Sequence, residues 1–515
     1  MKVFLAFFLL AGVIACGPSA LASPASPPLP LDSWIYPALD KLSSLGLIDS
    51  ILKGSRPYSR LEAARLTAEG RHEAMSGAWP PVVEELLNRL EDELCDQLVE
   101  LGEADGIASP SYLKPLRGVE ARYLYQHGKP SIFPGTDARQ FSLNTNNFGI
   151  DYDEHHNGEL VIEGDARVSG FFLLHWRPLL LSGDEGDSFR LLEGAAAIAL
   201  GSLEFSAGRQ SLWWGQGRHG SLVLTNNAKP LDMVRLTNPS PILLPWLLRY
   251  LGPFRFDVFL SQLEDERAVP EPWFGGLRLN FKPFPWLELG ASRTVMFGGE
   301  GRPDVGFDDF LTILGGNNLD PDEDTSNSVG AVDALVRIPA LWGMELYGEL
   351  GGEDEADLLG FIPFPSKKAI LAGVYLPRLE PRGRVGLRLE YADLDYQENG
   401  SSWYRHHIYV SGYTYKERIM GHHVGGQARD YSAEVMTFIP GGVTLSLGYD
   451  YERRGIGQLV EEKHHQPSLR LDWQAHDQFT LSIRYTFDQV ENFGFDPSAK
   501  DREFHLAAFG VRGYW

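Results

Sequence analysis

Residues 443–451 read VTLSLGYDY, in which Val443, Leu445, Leu447, Tyr449 and Tyr451 alternate with Thr444, Ser446, Gly448 and Asp450. A period of two sends the first set to one face of an extended strand and the second set to the other. The pattern recurs along the chain. Leu481, Ile483, Tyr485 and Phe487 alternate with Ser482, Arg484, Thr486 and Asp488; Val385, Leu387, Leu389 and Tyr391 with Gly386, Arg388 and Glu390; Trp342, Met344 and Leu346 with Gly343, Glu345 and Tyr347. One face is apolar with aromatic ends, and the other carries charge. In a soluble sandwich the apolar faces meet in a core. In a membrane barrel they meet lipid, and the charged faces line the interior. Alternation alone fits both.

Number and length separate the two. From Arg117 onward there are roughly 18 to 20 such segments of about ten residues, the length that crosses a bilayer at a tilt. Joints such as Pro283-Phe284-Pro285 and Pro440-Gly441-Gly442 are tight, whereas residues 298–327 and 415–429 are long and polar. Short turns at one end and long loops at the other are the sidedness of a membrane barrel. Ala507, Phe509, Val511 and the final Trp515 share one face. An aromatic last residue on such a strand resembles the terminal signal read by the bacterial outer-membrane insertion machinery. The sequence therefore predicts an all-β protein, a transmembrane antiparallel β-barrel of about 18 strands over residues 117–515.

The chain before the barrel has a different texture. Lys2, the apolar run 3–14 and Ala20-Leu21-Ala22 form a signal peptide over residues 1–22. Val13-Ile14-Ala15-Cys16 also reads as a lipobox, which leaves two fates for Cys16, removal or acylation. Residues 23–30 are a Pro/Ser/Ala linker. Then the period becomes helical. Trp34, Ala38, Leu42 and Leu45 share a face that Gly46 closes. Ser59 with Glu62 reads as a capping box, and Pro80-Pro81 opens a third helix over 82–101 with Val83, Leu86, Leu87, Leu90 and Leu94 as its stripe. Residues 31–105 are thus expected to form a small α-helical periplasmic module with a core separate from the barrel.

Tyr36, Leu39, Leu42, Gly46-Leu47-Ile48, Arg56-Pro57-Tyr58-Ser59-Arg60 and Glu62-Ala63-Ala64 give that module a likeness to S-layer-homology domains. The resemblance implies peptidoglycan or its attached polymers as a partner of residues 31–105. A helical plug or cap without ligand is the other reading.

Whole-chain properties exclude several classes. A net charge of −23 over 515 residues lacks the basic face that nucleic acid requires. The only two cysteines, Cys16 and Cys95, leave no intrachain disulfide under either fate of Cys16. The longest apolar run after the signal, PILLPWLLRY at 241–250, holds two prolines and an arginine and is too short to span a bilayer as a helix.

Chemistry-bearing patterns are few. Gly215, Gly217 and Gly220 match GxGxxG, but a strand-like SLVLT follows where a nucleotide site needs a helix N-terminus. Four adjacent pairs, His155-His156, His406-His407, His422-His423 and His464-His465, lack any HExxH or Cys-His companion, and strand neighbours point to opposite faces. No metal site is assigned to them. The acidic runs 320–324 and 353–355 lack the glycine and closing Glu of an EF-hand loop. There is no GxSxG elbow and no identifiable catalytic constellation, so the sequence predicts neither an enzyme nor a cofactor.

The least generic stretch is 213–239, WWGQGRHGSLVLTNNAKPLDMVRLTNP. It suits a loop presenting flat aromatic faces and fixed donors to a polar ligand such as carbohydrate. Trp214 is the expected stacking face, with Arg218, Asn226, Asn227, Lys229 and Arg235 as donors.

This stretch closely resembles the signature of the Wzi-type capsule assembly family. The likeness is specific at 213–230. It continues at 413–430, where Gly421-His422-His423, Gly425-Gly426 and Arg429-Asp430 look like a second family motif that adds Arg429 to the candidates. The resemblance implies a monomeric outer-membrane barrel with a helical part at its periplasmic end. It also implies a non-catalytic, lectin-like role holding capsular or other surface polysaccharide, among outer-membrane lipid and lipopolysaccharide. The S-layer-like segment departs from the enterobacterial pattern, which leaves open whether the polymer is a true capsule. An outer-membrane porin for carbohydrates or other small solutes is the alternative reading.

Overall fold

A computed structural model of the chain describes residues 24–303, 326–353, 368–398, 401–476 and 478–515. The signal segment with Cys16, most of the 298–327 loop and the acidic residues 320–324 and 354–355 lie outside these.

Eighteen long strands run in chain order: Tyr112–His127 (β1), His155–Val168 (β2), Phe172–Gly183 (β3), Gly186–Leu200 (β4), Leu203–Gln210 (β5), Leu231–Thr237 (β6), Pro253–Gln262 (β7), Trp273–Phe284 (β8), Leu287–Phe297 (β9), Ser326–Ile338 (β10), Met344–Glu353 (β11), Lys368–Leu376 (β12), Val385–Asp393 (β13), Ala428–Ile439 (β14), Val443–Arg454 (β15), Glu462–His476 (β16), Phe479–Glu491 (β17) and Arg502–Tyr514 (β18). Each pairs antiparallel with the next. β18 closes the ring on β1, with Val511 opposite Ala121 and Phe509 opposite Tyr123. Closure leaves no unpaired edge, the condition for a sheet in lipid. The first strand starts at Tyr112, five residues before the expected Arg117.

Burial is inverted relative to a soluble protein. In β15, Leu447 and Tyr449 are 49% and 46% exposed, while Asp450, Glu452 and Arg454 are 7%, 0% and 2% exposed. Leu389, Leu346, Ile483 and Phe509 are exposed likewise, and Glu390, Glu345 and Asp488 are buried. Only a lipid-facing exterior makes that arrangement stable. Aromatic residues mark both rims. Trp246, Tyr250, Trp286, Trp342, Trp473 and Trp515 lie at the short-turn end, and Phe189, Tyr123, Tyr431 and Tyr485 toward the long-loop end, all exposed. Trp515 donates its backbone N–H to the Arg117 carbonyl at 2.9 Å and sets its ring edge-on to Phe479. No described helix is long and apolar enough to cross a membrane.

Among the described residues four helices precede the strands: Ile35–Leu45 (α1), Arg60–Ala74 (α2), Pro81–Glu93 (α3) and Cys95–Leu101 (α4). Ser59 caps α2, its Oγ accepting from the Glu62 N–H at 3.1 Å. The single third helix expected over 82–101 is broken at Leu94, which leaves helical geometry at φ −105°, ψ 14°. The break lets α4 fold back on α2, where Arg60 donates to Gln97 Oε1 at 3.4 Å and to the Glu93 carbonyl at 2.5 Å.

The expected separation of cores does not hold. The helices fill the short-turn end of the barrel, and their apolar cluster takes in Phe438 and Met436 of β14. Arg384 holds Glu85 at 2.6 Å, and Arg337 holds Asp49 at 2.9 Å. Deeper in, Lys53 meets Glu345 at 2.6 Å while its N–H and that of Gly54 donate to Glu288 at 2.9 and 2.8 Å. The alternating strands place acids on the lumen side, and the segment after α1 supplies the matching donors.

Candidate functional site

The stretch after β5 does not project outward. It folds into the lumen, where wall carboxylates catch its backbone. Glu349 accepts from the N–H groups of Gly217 and Leu222 at 2.9 Å each and from Ser221 Oγ at 3.0 Å. Glu390 accepts from the N–H groups of Arg218 and His219 at 2.8 and 2.9 Å. Gln216 bridges Glu288 and Asp333 at 3.0 and 2.9 Å. Such charge-assisted bonds are short and strong. The glycines make the close approach possible: a Cβ on Gly217 would lie 2.0 Å from the Gly220 carbonyl oxygen. Trp213 and Trp214 then pair antiparallel with Arg56 and Ser55 of the helical module.

This placement revises the roles expected from the sequence. Trp214 is fully enclosed, its ring 5.4 Å from Phe259 and so close to β8 that a Cβ on Gly276 would sit 2.9 Å from it. It offers no face to a sugar; it is a packing residue. Asn227 spends its amide on Gln140 Oε1 and the Ile419 carbonyl at 3.0 and 2.9 Å, and Asn226 is buried beside it. Arg235 is buried on the wall against Asp257. Arg218 reaches Asp40 of α1, Nε to Oδ2 at 2.8 Å. Lys229, 3.2 Å from Asp151, and Arg429, 3.1 Å from Asp393 and 2.9 Å from Asp395, keep the most accessible side chains of the set, 28% and 32% exposed.

Burial alone would raise the Asp40 carboxyl, but Arg218, Arg56 and Lys53 hold it far below the usual carboxylate range.

The segment after β13 also turns inward. Trp214, Phe259, Phe274, Tyr413, Tyr404 and Trp403 form a run of rings with successive centroids 5.2–5.8 Å apart, joining both infolded segments to the wall. Beside it, four groups from three parts of the chain converge. His219 Nε2 lies 3.0 Å from Asp450 Oδ2 and 3.5 Å from Asp430 Oδ2, and His423 Nε2 lies 3.3 Å from the same Asp430 oxygen. Adjacent histidines on a strand point apart along the chain. Across the fold, the neighbour of His423 is His219, ring centroids 4.7 Å apart.

A second feature escaped the sequence reading. Between the module and the inner faces of β1 and β17 lies a cavity of about 190 Å³, lined by Trp34, Arg89, Arg122, Asn146, Tyr152 and Arg484 among others. Arg89 stacks on Trp34 at 4.0 Å, and Arg484 donates to the Leu143 carbonyl at 3.4 Å. An indole, amides and guanidinium groups around one cavity are the donor set that suits acidic or hydroxyl-rich sugars.

A closed antiparallel barrel with an apolar exterior, aromatic rims and a charged lumen occupied by its own chain defines the class: an outer-membrane β-barrel with an internal plug. Within that class the chain belongs to the Wzi capsule assembly family, whose model, Capsule assembly protein Wzi, matches residues 131–503. The solved structure of Wzi of Escherichia coli, described as an outer membrane protein involved in group 1 capsule assembly and as a carbohydrate-binding β-barrel, is similar at a TM-score of 0.71 and 19% identity, over 95% of this chain and 100% of that one. An uncharacterized 55.8 kDa protein in the cps region of Klebsiella pneumoniae is 31% identical over 254 residues, 48% of this chain and 46% of that protein, so the match spans about half of the relative's length. Pseudomonas aeruginosa OprD is similar at a TM-score of only 0.42 and 11% identity, over 80% of this chain and 97% of that one.

Proposed function

We propose that this protein binds exported capsular or other surface polysaccharide and helps attach it at the outer membrane, without catalysis. Membership of the capsule assembly family carries the reading, and the lumen chemistry supports it. Trp34, Arg89 and Arg484 offer stacking and charge at the short-turn end, while Lys229 and Arg429 offer cationic donors toward the long-loop end. The barrel acts as a monomer among outer-membrane lipid and lipopolysaccharide. A groove of about 530 Å³ on the module, lined by Asp49, Arg65, Glu69 and His72, supports a peptidoglycan contact there. The test is deletion of the gene in a strain that makes surface polysaccharide. Cell-bound polymer is expected to fall and polymer in the medium to rise by the same amount, with total synthesis unchanged. Unchanged retention contradicts the proposal.

A further inference from the structure

We propose that His219, His423, Asp430 and Asp450 form a zinc site that clips both infolded segments to the barrel wall. His219 comes from the segment after β5, His423 from the segment after β13, Asp430 from β14 and Asp450 from β15. One donor atom from each of the four lies within 4.8 Å of each of the others. Zinc–ligand bonds of about 2.0–2.1 Å put the donors of a tetrahedron about 3.3 Å apart. Three measured separations, 3.0, 3.3 and 3.5 Å, already stand near that value. Two imidazoles and two carboxylates neutralise a divalent ion and match the nitrogen and oxygen ligands that zinc accepts.

His423 supplies an independent observation. It is buried, and its Nε2 lies 3.3 Å from both Asp430 Oδ2 and Glu452 Oε1, yet neither ring nitrogen is aligned for a hydrogen bond to a group among the described residues. The Asp430 Oδ2 and Asp450 Oδ1 atoms are buried, and neither makes a hydrogen bond of good geometry among the described residues. A buried imidazole aimed at a carboxylate without hydrogen-bonding it is costly unless something else binds both. The surroundings hold the ligands in place. Glu390 fixes the His219 backbone, and Arg454 holds Glu452, whose carboxylate flanks His423. Outer groups of this kind orient metal ligands.

The site would make the plug conditional on a metal, because its four ligands join three separate parts of the chain. The test uses purified full-length protein in detergent, stripped with a chelator and titrated with zinc alone. One zinc per chain is expected, with Asp450→Asn and His423→Ala each weakening uptake at least about 100-fold. Cobalt in place of zinc should give the strong visible bands of a four-coordinate ion. An exposed triad, His127, Glu154 and His155, also gathers possible ligands, so His155→Ala serves as the control and should keep the tight site. If a variant fails to fold, the cobalt spectrum of the wild type still decides. No uptake by the wild type, six-coordinate cobalt, or uptake lost in His155→Ala and kept in Asp450→Asn overturns the proposal.

Discussion

Arg218 of the infolded segment grips Asp40 of the first helix, Nε to Oδ2 at 2.8 Å and Nη2 to Oδ1 at 3.3 Å. This contact joins the family motif to the helical plug across 178 residues of sequence. Arg56 reaches the same carboxylate at 3.1 Å and Arg388 approaches it at 3.8 Å. Three guanidinium groups converge on one buried acid, so the acid is the keystone.

Asp40→Asn is therefore expected to cost about 3–5 kcal/mol of plug docking, because it leaves buried cations unpaired. Limited trypsin digestion of the intact barrel checks it, with cleavage near Arg56 and Arg60 accelerating while the strands stay protected. Arg218→Ala should be milder, since Arg56 and Arg388 remain.

Lys41 gives the docking a pH dependence. It is buried under Phe438 and donates to the Arg384 carbonyl at 3.1 Å, and burial pushes its ammonium down to about 7 against the opposing pull of Glu380. Between that value and the ordinary 10.5, the unfolded chain binds the proton and the folded one does not. Stability of the docked module should rise with pH through this window and be lost as pH falls toward 7. Denaturant melts of full-length protein at several pH values read the slope, and Lys41→Met should flatten it.

Trp214→Ala is expected to cost about 3–5 kcal/mol through the cavity it leaves. The effect should appear as reduced resistance of the folded barrel to heating in detergent gels. Polysaccharide affinity of the barrels that do assemble should be unchanged, since the ring faces no ligand.

Deleting residues 31–105 should convert a non-conducting barrel into a conducting one, because the helices fill the short-turn end and the infolded segments lose their partners at Ser55 and Arg56. Planar bilayers measure this. Steady conductance by the intact protein would favour the porin reading instead.

The barrel was legible because alternation, strand length and turn asymmetry are local. Residues 443–451 alone show the two faces, and strand number, length and turn asymmetry turn the apolar one toward lipid, where Leu447 lies exposed while Asp450 is buried inside. The motif at 213–230 was legible as special and misread in direction. A loop rich in glycine, asparagine and tryptophan reads the same whether its donors face solvent or the carboxylates of Glu349 and Glu390. What decides is the placement of those acids on β11 and β13, more than 120 residues away. A signal was present in the acids at inward strand positions, Glu345, Glu349 and Glu390, which demand buried donors from somewhere. The convergence of His219 with His423, and of Arg89 with Arg484 around one cavity, depends on tertiary closure and leaves no trace in spacing.

Polysaccharide binding by the plugged barrel is tested most directly on the purified protein. Full-length protein in detergent, titrated by calorimetry with acidic surface polysaccharide from a producing strain, should bind saturably. Arg89→Ala and Arg484→Ala should each weaken binding by about 1–3 kcal/mol, roughly 5- to 150-fold. Absence of saturable binding by the wild type, with the barrel shown to be folded by its gel shift on heating, would contradict the account.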